Sequence, residues 1–115
     1  SLNDVTVDET IEVVETLATN DPDLAALIQA GMFEVVSTGN DLPLIDLSDV
    51  SDELNQAAVD AELVVLVGMG RGIESNFDAQ FSVDTLRLAL LKDQAVANRI
   101  GGTLFDCVCK YQPAK

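Results

Sequence analysis

The chain has 115 residues, 48% of them hydrophobic, so it can bury one core but is at the small end for an α/β enzyme. Its formal net charge of −14, from 20 acidic and 6 basic residues, disfavours nucleic acid or an anionic membrane surface as a partner. The acidic excess suits either a salt-rich habitat or an ordinary solvated surface. With no signal-peptide pattern and no apolar run of about 18 residues, we expect a soluble cytoplasmic protein.

Two helices are predicted at the start of the chain. Thr6 and Glu9 form a Thr-x-x-Glu capping box, and apolar residues then recur at helical spacing, which predicts a helix over residues 7–18. Asp21 followed by Pro22 has the pattern of an N-cap and first helical position. We therefore expect a second, shorter helix that stops at the next glycine.

The rest of the chain alternates extended and helical signals. In order, the predicted elements are a strand at 32–36, a helix at 52–58 capped by Ser51, strands at 63–67 and 86–91, a helix at 93–100 and a strand at 104–110. The apolar runs of the strands are continuous, which is typical of strands covered on both faces. We therefore predict an α/β fold in three α/β/α layers around a Rossmann-like sheet.

Two cysteines, Cys107 and Cys109, flank Val108 on the last predicted strand. Their side chains share a face, but residues two apart on an extended chain are poorly placed for an unstrained disulfide. The sequence has no histidine and no second cysteine pair to complete a metal site. We predict that both are reduced core residues.

A glycine-rich turn follows the strand predicted at 63–67. Gly68, Gly70 and Gly72 allow positive φ and a close approach of backbone N–H groups to a ligand. Arg71, the first basic residue of the chain, offers a forked cation suited to phosphate or carboxylate. We therefore predict an anion-binding site here. Its candidate residues are Gly68, Met69, Gly70, Arg71, Glu74 and Asn76.

Two nucleotide-binding motifs fit the turn less well. A dinucleotide-binding fingerprint needs its third glycine at position 73 rather than at Gly72, with a regular helix following at once. A phosphate-binding P-loop is excluded because Gly-Lys-Ser/Thr is absent. A tight turn that merely needs glycine stays open, although it gives no reason for Arg71, Glu74 and Asn76 to lie together.

Four motifs in order make the chain resemble the metal-dependent damage-control phosphatases, also called the domain of unknown function 89 family. The motifs are Leu2-Asn3-Asp4-Val5-Thr6, Ser37-Thr38-Gly39-Asn40-Asp41-Leu42-Pro43-Leu44-Ile45-Asp46-Leu47, Gly68-Met69-Gly70-Arg71-Gly72-Ile73-Glu74-Ser75-Asn76, and Gly101-Gly102-Thr103-Leu104-Phe105-Asp106-Cys107-Val108. The subgroup resembled is the one that stands alone in plants and is fused to some eukaryotic pantothenate kinases.

The resemblance implies roles for particular residues. Asp4 matches an aspartate that binds a catalytic divalent ion (Mn, Co, Ni or Mg) together with an upstream Asp-Asn pair, which this sequence lacks. Residues 1–115 are therefore expected to be the C-terminal part of the catalytic domain. Lys92 matches a lysine near the substrate phosphate, with Arg71 beside it, so Asp4, Arg71 and Lys92 are the candidate catalytic residues.

The implied reaction is hydrolysis of small phosphometabolites: phosphopantetheine, its damaged forms or sugar phosphates. Alternatives remain for each residue: Asp4 could stabilise a helix N-terminus, Lys92 could be a solvated lysine, and Glu74 and Asn76 could cap the segment after the turn. The chain could also be a non-catalytic binding module, or a half-domain completed by the missing N-terminal segment or a partner chain.

Overall fold

The computed structural model describes residues 5–39, 47 and 49–115. In chain order its elements are α1 (Val7–Asn20), α2 (Pro22–Gln29), α3 (Asp52–Ala58), β1 (Leu63–Val67), a π-helical turn (Met69–Glu74), β2 (Asp84–Leu90), α4 (Gln94–Arg99) and β3 (Cys107–Gln112). The first three elements are all helices, and strands and helical segments alternate only from β1 onward.

The strands form one mixed sheet in the order β1-β2-β3. β1 and β2 are parallel, with Leu63 opposite Asp84. β2 and β3 are antiparallel, with Leu90 opposite Cys107 and Thr85 opposite Gln112. β2 is thus the central strand, and the α/β class predicted from the sequence is confirmed.

Local capping determines where the first helices begin. The Thr6 side chain accepts from the Glu9 backbone N–H and the Glu9 carboxylate accepts from the Thr6 N–H, which confirms the capping box. The Asp21 carboxylate accepts from the backbone N–H of Asp23 and Leu24, and Pro22 is the first helical residue. α1 and α2 therefore begin at the residues predicted.

A small apolar core joins the π-helical turn, the end of β2 and α4. Its buried members are Ile73, Leu91, Val96 and Ala97. Half-buried apolar side chains packed around them are Met69, Phe77, Ala89, Ile100 and Val108. Ile73 and Leu91 are completely buried, so the turn after β1 is fixed to the sheet through its own isoleucine.

One face of β1 is open in the described residues. Leu63, Val65 and Val67 alternate along it and are 51%, 45% and 61% exposed, whereas Leu66 on the opposite face is buried. Within the described chain β1 pairs with β2 only, so its outer edge is also unpaired. The covered face of β1 is therefore the one that packs beneath the π-helical turn.

The prediction of a strand at residues 32–36 is wrong. These residues pair with no strand of the described sheet, and Met32 is 75% exposed. Residues 34–38 are irregular. An apolar run becomes a strand only when a neighbouring strand satisfies its backbone N–H and C=O groups, and none lies alongside among the described residues.

The prediction for the cysteines is half right. Cys107 and Cys109 are free, as expected, but both are exposed and not in the core. Only Val108 between them faces the apolar cluster. The face of β3 that carries the two thiols is therefore uncovered in the part of the chain that the structure describes.

β3 begins later than predicted because a tight turn occupies the start of the predicted strand. The Asp106 N–H donates to the Thr103 carbonyl at 3.0 Å, and the Thr103 N–H donates to the Asp106 carboxylate at 2.9 Å. Phe105 has φ of 70°, a left-handed conformation that is uncommon for a residue with a side chain. An extended strand can therefore begin only after Asp106.

The C-terminal residues are tied to the sheet through Asp84. The Tyr111 hydroxyl donates to the Asp84 carboxylate at 2.7 Å and the Ala114 N–H donates to its other oxygen at 2.8 Å. The bond from Tyr111, with that from Ala114, lowers the pKa of Asp84 from 3.8, and the bond to Asp84 raises the pKa of Tyr111 above 10.0.

Tyr111→Phe is expected to lower the melting temperature at neutral pH, and this difference should depend on pH. The lowered pKa of Asp84 contributes stability that is complete above 3.8 and is lost as pH falls through its folded value. The raised pKa of Tyr111 contributes stability that is complete below 10.0 and is lost as pH rises through its folded value. The measurement is the melting temperature of both proteins from about pH 2 to about pH 11. A difference in melting temperature that stays constant over this range would contradict the contact between Tyr111 and Asp84.

Candidate functional site

The site lies where the two parallel strands end. The carboxyl ends of β1 and β2 meet at the same edge of the sheet, the usual position of ligands in open α/β sheets. The Gly68 N–H donates to the Leu88 carbonyl at 2.8 Å, which carries the parallel pairing just past the end of β1. The Lys92 N–H donates to the Met69 sulfur at 3.3 Å. The glycine-rich turn and Lys92 are therefore neighbours in space.

The glycine-rich turn is one wide helical turn. The Gly72 N–H donates to the Gly68 carbonyl at 2.9 Å, and the Ser75 N–H donates to the Gly70 carbonyl, five residues back, at 3.1 Å. Met69, Gly70 and Arg71 form its first residues, and N–H groups at such a start have no partner inside the helix. The turn therefore begins with backbone N–H groups that have no partner inside it.

Two of the three positions favour glycine, each for a different structural reason. Gly68 has φ of +106°, which side-chain-bearing residues rarely adopt. A Cβ atom at Gly72 would lie 3.3 Å from the Leu66 carbonyl oxygen, because the turn packs directly on β1. Of the three, only Gly68 uses the positive φ that glycine allows.

Two cations at this edge have no partner in the described part of the chain. The side chains of Arg71 and Lys92 are exposed and make no hydrogen bond or ion pair with any described residue. By contrast Arg87 is buried, Arg99 pairs with Asp78 at 3.8 Å, and Lys110 lies 4.0 Å from the centre of the Phe77 ring. Arg71 and Lys92 are thus available to an anion.

The two polar residues after the turn are used differently. Asn76 is only 4% exposed, and its side-chain N–H₂ donates to the Arg71 carbonyl at 2.7 Å and to the Ser75 hydroxyl at 3.0 Å. Glu74 is half-buried, and its backbone carbonyl accepts from Arg99 at 3.1 Å. Asn76 therefore closes the end of the turn, and contact of either residue with substrate stays a prediction.

Arg87 is a residue of this region that was not predicted from the sequence. It is completely buried on β2, and its guanidinium donates to the backbone carbonyls of Asn76 and Ala79 and to the side chain of Gln112. Burial lowers the pKa of this guanidinium, and the negative charge of Asp78 opposes that shift. A lone arginine inside an otherwise apolar run, Leu86 to Leu91, was the available signal.

The motif that begins at Ser37 reaches the start of α3. The Ser51 hydroxyl donates to the Ser37 carbonyl at 2.6 Å, and the Ser51 N–H donates to the Thr38 carbonyl at 2.8 Å. Ser51 also caps α3 as predicted, by accepting from the Leu54 N–H. The part of the motif from residue 40 to residue 46, including Asp41, lies outside the described residues.

The last motif, residues 101–108, lies against the end of β2. The Phe105 N–H donates to the Leu91 carbonyl at 2.7 Å, and the Leu91 N–H donates to the Asp106 carbonyl at 2.9 Å. Leu91 immediately precedes Lys92. Two of the four motifs are thus brought together around the same edge of the sheet.

The predicted metal ligand, Asp4, lies outside the described residues. Over the described ranges, no three His, Cys, Asp or Glu side chains are grouped so that they could hold a metal ion. The described residues alone therefore do not fit a complete metal site. Within the same ranges, no helix has both the length and the apolar character needed to cross a membrane.

Comparison with known proteins shows similarity over nearly the whole sequence. The damage-control phosphatase ARMT1-like domain matches residues 1–108. Damage-control phosphatase At2g17340 of Arabidopsis thaliana is 43% identical over 111 residues. Pantothenate kinase 2 of Arabidopsis thaliana is 52% identical over 80 residues. A 4′-phosphopantetheine phosphatase of Mus musculus is 26% identical over 161 aligned positions.

The chain spans only part of each relative. The match covers 96% of this chain and 30% of the plant phosphatase, 69% of this chain and 9% of the plant kinase, and 97% of this chain and 20% of the mouse phosphatase. The family match nevertheless includes nearly the whole sequence, with the glycine-rich turn and Lys92 inside it. The chain therefore belongs to the damage-control phosphatase ARMT1-like domain family.

Proposed function

We propose that this domain binds the phosphate of a small phosphometabolite and takes part in its metal-dependent hydrolysis. The observation that carries the proposal is the pair Arg71 and Lys92, two exposed cations without a partner among the described residues, at the carboxyl ends of two parallel strands. In a chain of net charge −14 such a pair is a local exception that favours an anion. Family membership supports a phosphate ester as that anion.

The two cations have different parts in this proposal. Arg71 can hold two phosphate oxygens at once through its planar fork, and Lys92 adds a mobile point charge. Both offset negative charge that accumulates on the phosphoryl oxygens during transfer. The backbone of the proposed site comes from Gly68, Met69 and Gly70. Glu74 lies beside the site, and Asn76 holds the turn closed.

Asp4 is the proposed metal ligand, with Mn, Co, Ni or Mg as the ion. Such an ion polarises phosphoryl oxygens and is held by hard oxygen ligands. The remaining ligands are proposed to be an Asp-Asn pair, as the family resemblance implies. The substrate class proposed is phosphopantetheine and its damaged forms, because a relative carries the name 4′-phosphopantetheine phosphatase, with sugar phosphates next.

A second candidate is a half-domain that is inactive until another polypeptide completes it. The open apolar face of β1 and its unpaired edge, within the described chain, favour this possibility. A further strand beside β1 and helices over Leu63, Val65 and Val67 would produce the predicted three-layer α/β/α arrangement. We propose that an upstream segment of the family's catalytic domain or a partner chain supplies them. The proposed location is the cytoplasm, and neither nucleic acid nor a membrane is proposed as a partner.

The experiment that tests the function is phosphate release by this chain from p-nitrophenyl phosphate and 4′-phosphopantetheine. Each reaction is run with Mn²⁺, Co²⁺, Ni²⁺ or Mg²⁺, with a chelator, and with Asp4→Asn. Metal-dependent release that Asp4→Asn abolishes supports the enzyme. No release by the chain alone, followed by release when the upstream family segment is added, favours the half-domain. No release in either form rejects the phosphatase proposal.

A further inference from the structure

Arg87 connects three segments that are distant in sequence. Its Nε and Nη2 donate to the Asn76 carbonyl at 3.2 and 2.8 Å, and Nη2 also donates to the Ala79 carbonyl at 2.7 Å. Its Nη1 donates to the Gln112 side-chain oxygen at 2.8 Å. The segment after the glycine-rich turn is therefore fastened to the central strand β2 and to the edge strand β3 by one side chain.

Core stability alone does not account for this arrangement. The guanidinium is completely buried, and all three groups that accept its hydrogen bonds are uncharged. Burying a charge is costly even when its hydrogen bonds are made, and well-packed apolar residues often replace buried ions without loss of stability. What an apolar side chain cannot reproduce is the fixed position of the Asn76 and Ala79 carbonyls.

Asn76 carries this constraint into the glycine-rich turn. While its carbonyl is held by Arg87, its side chain donates to the Arg71 carbonyl at 2.7 Å and to the Ser75 hydroxyl at 3.0 Å. The Ser75 hydroxyl in turn donates to the Gly70 carbonyl at 2.7 Å. Consecutive hydrogen bonds thus lead from Arg87, through Asn76, to the backbone that bears the Arg71 side chain.

We propose that Arg87 is a positioning residue for the anion site: it touches no ligand, but it fixes Asn76 and thereby the backbone of Arg71. This inference rests on the proposed phosphate-binding function of that site. Arg71 is exposed, so its backbone, and not packing, fixes the point from which its side chain reaches toward an anion. The affinity for phosphate should therefore depend on the buried guanidinium of Arg87, although that group does not contact the phosphate.

The test is a double-mutant cycle between Arg87→Lys and Arg71→Gln, read as the affinity for inorganic phosphate by calorimetry. A lysine keeps the charge but cannot hold the Asn76, Ala79 and Gln112 oxygens together, so Arg87→Lys is expected to weaken phosphate binding about tenfold. In the Arg71→Gln background the same change should cost less than about twofold, because the group being positioned is gone. Lys115→Arg, an exchange at the C-terminal residue, is the control and should change nothing.

Hydrogen exchange on the same proteins separates this inference from the proposed function. Arg87→Lys should speed exchange of the Gly72 and Ser75 amides, which close the turn, and leave the amides shared by β1 and β2 protected. If the unmodified chain binds no phosphate, the proposed function fails, and faster exchange confined to the turn still supports positioning by Arg87. An equal loss of affinity in both backgrounds, or unchanged exchange at Gly72 and Ser75, would overturn the inference.

Discussion

Arg71→Gln is expected to weaken the binding of inorganic phosphate by about tenfold, because one charge-assisted hydrogen-bonding group of this kind contributes about 1.5 to 3 kcal/mol and exposure to solvent places Arg71 at the lower end. Glutamine keeps the polarity of the side chain but removes its charge and its fork. Lys92→Gln should weaken binding in the same direction and by less, since lysine gives a point charge only. The measurement is isothermal titration of phosphate at low ionic strength.

Lys115→Gln supplies the matched control for these two variants. It removes the same charge from an exposed lysine at the C-terminus, whose backbone N–H donates to the Phe81 carbonyl at 3.2 Å and is unaffected by the change. If all three variants weaken binding equally, the effect is one of net charge and the site has been assigned to the wrong residues. Raising the salt concentration should reduce binding by the unmodified chain, as expected for exposed charges.

Ile73→Ala is expected to lower the free energy of unfolding by about 2 to 5 kcal/mol, the usual cost of emptying a buried aliphatic site. Ile73 is completely buried against Leu91, Val96 and Ala97, and it is the apolar core residue that the glycine-rich turn contributes. Its loss should therefore loosen the turn together with the core. Urea unfolding followed by circular dichroism measures the change.

The same substitution at Ile11 is the control, because Ile11 lies on α1 and is 38% exposed. Ile11→Ala should cost less than about 1 kcal/mol, in the range of ordinary surface substitutions. Equal losses at the two positions would mean that Ile73 does not anchor the turn. An Ile73→Ala protein that unfolds at the same urea concentration as the unmodified chain would contradict the packing of Ile73 altogether.

Elements fixed by neighbouring residues could be predicted from the sequence. Thr6 with Glu9, Asp21 with Pro22, and Ser51 each cap a helix through contacts within three residues, so their patterns are visible in the chain. The strand at Leu63–Val67 was predicted with the right bounds because its apolar run is short and ends in glycine. The strand predicted at 32–36 failed because pairing depends on a distant neighbour, which a local apolar run does not reveal.

The same difference between local and distant contacts decides which residues of the candidate site could be predicted. The glycine-rich turn could be predicted from its residue types and Lys92 from the family resemblance; the structure makes them neighbours, and their part in a site stays a prediction. Arg87 could not, because its partners lie 8, 11 and 25 residues away and meet only after the strands pair. The exposed cysteines were misplaced for a related reason: alternation on β3 shows which residues share a face, but not whether a layer covers it.

The central claim is that phosphate binds between the glycine-rich turn and the end of β2. Titrating the ¹⁵N-labelled chain with inorganic phosphate, and following backbone amide shifts by nuclear magnetic resonance, locates binding directly. The largest shifts are expected at the amides of Met69, Gly70, Arg71 and Lys92, with little change on α1 and α2. Shifts spread evenly over the surface, or concentrated near Lys110 and Lys115, would contradict this site.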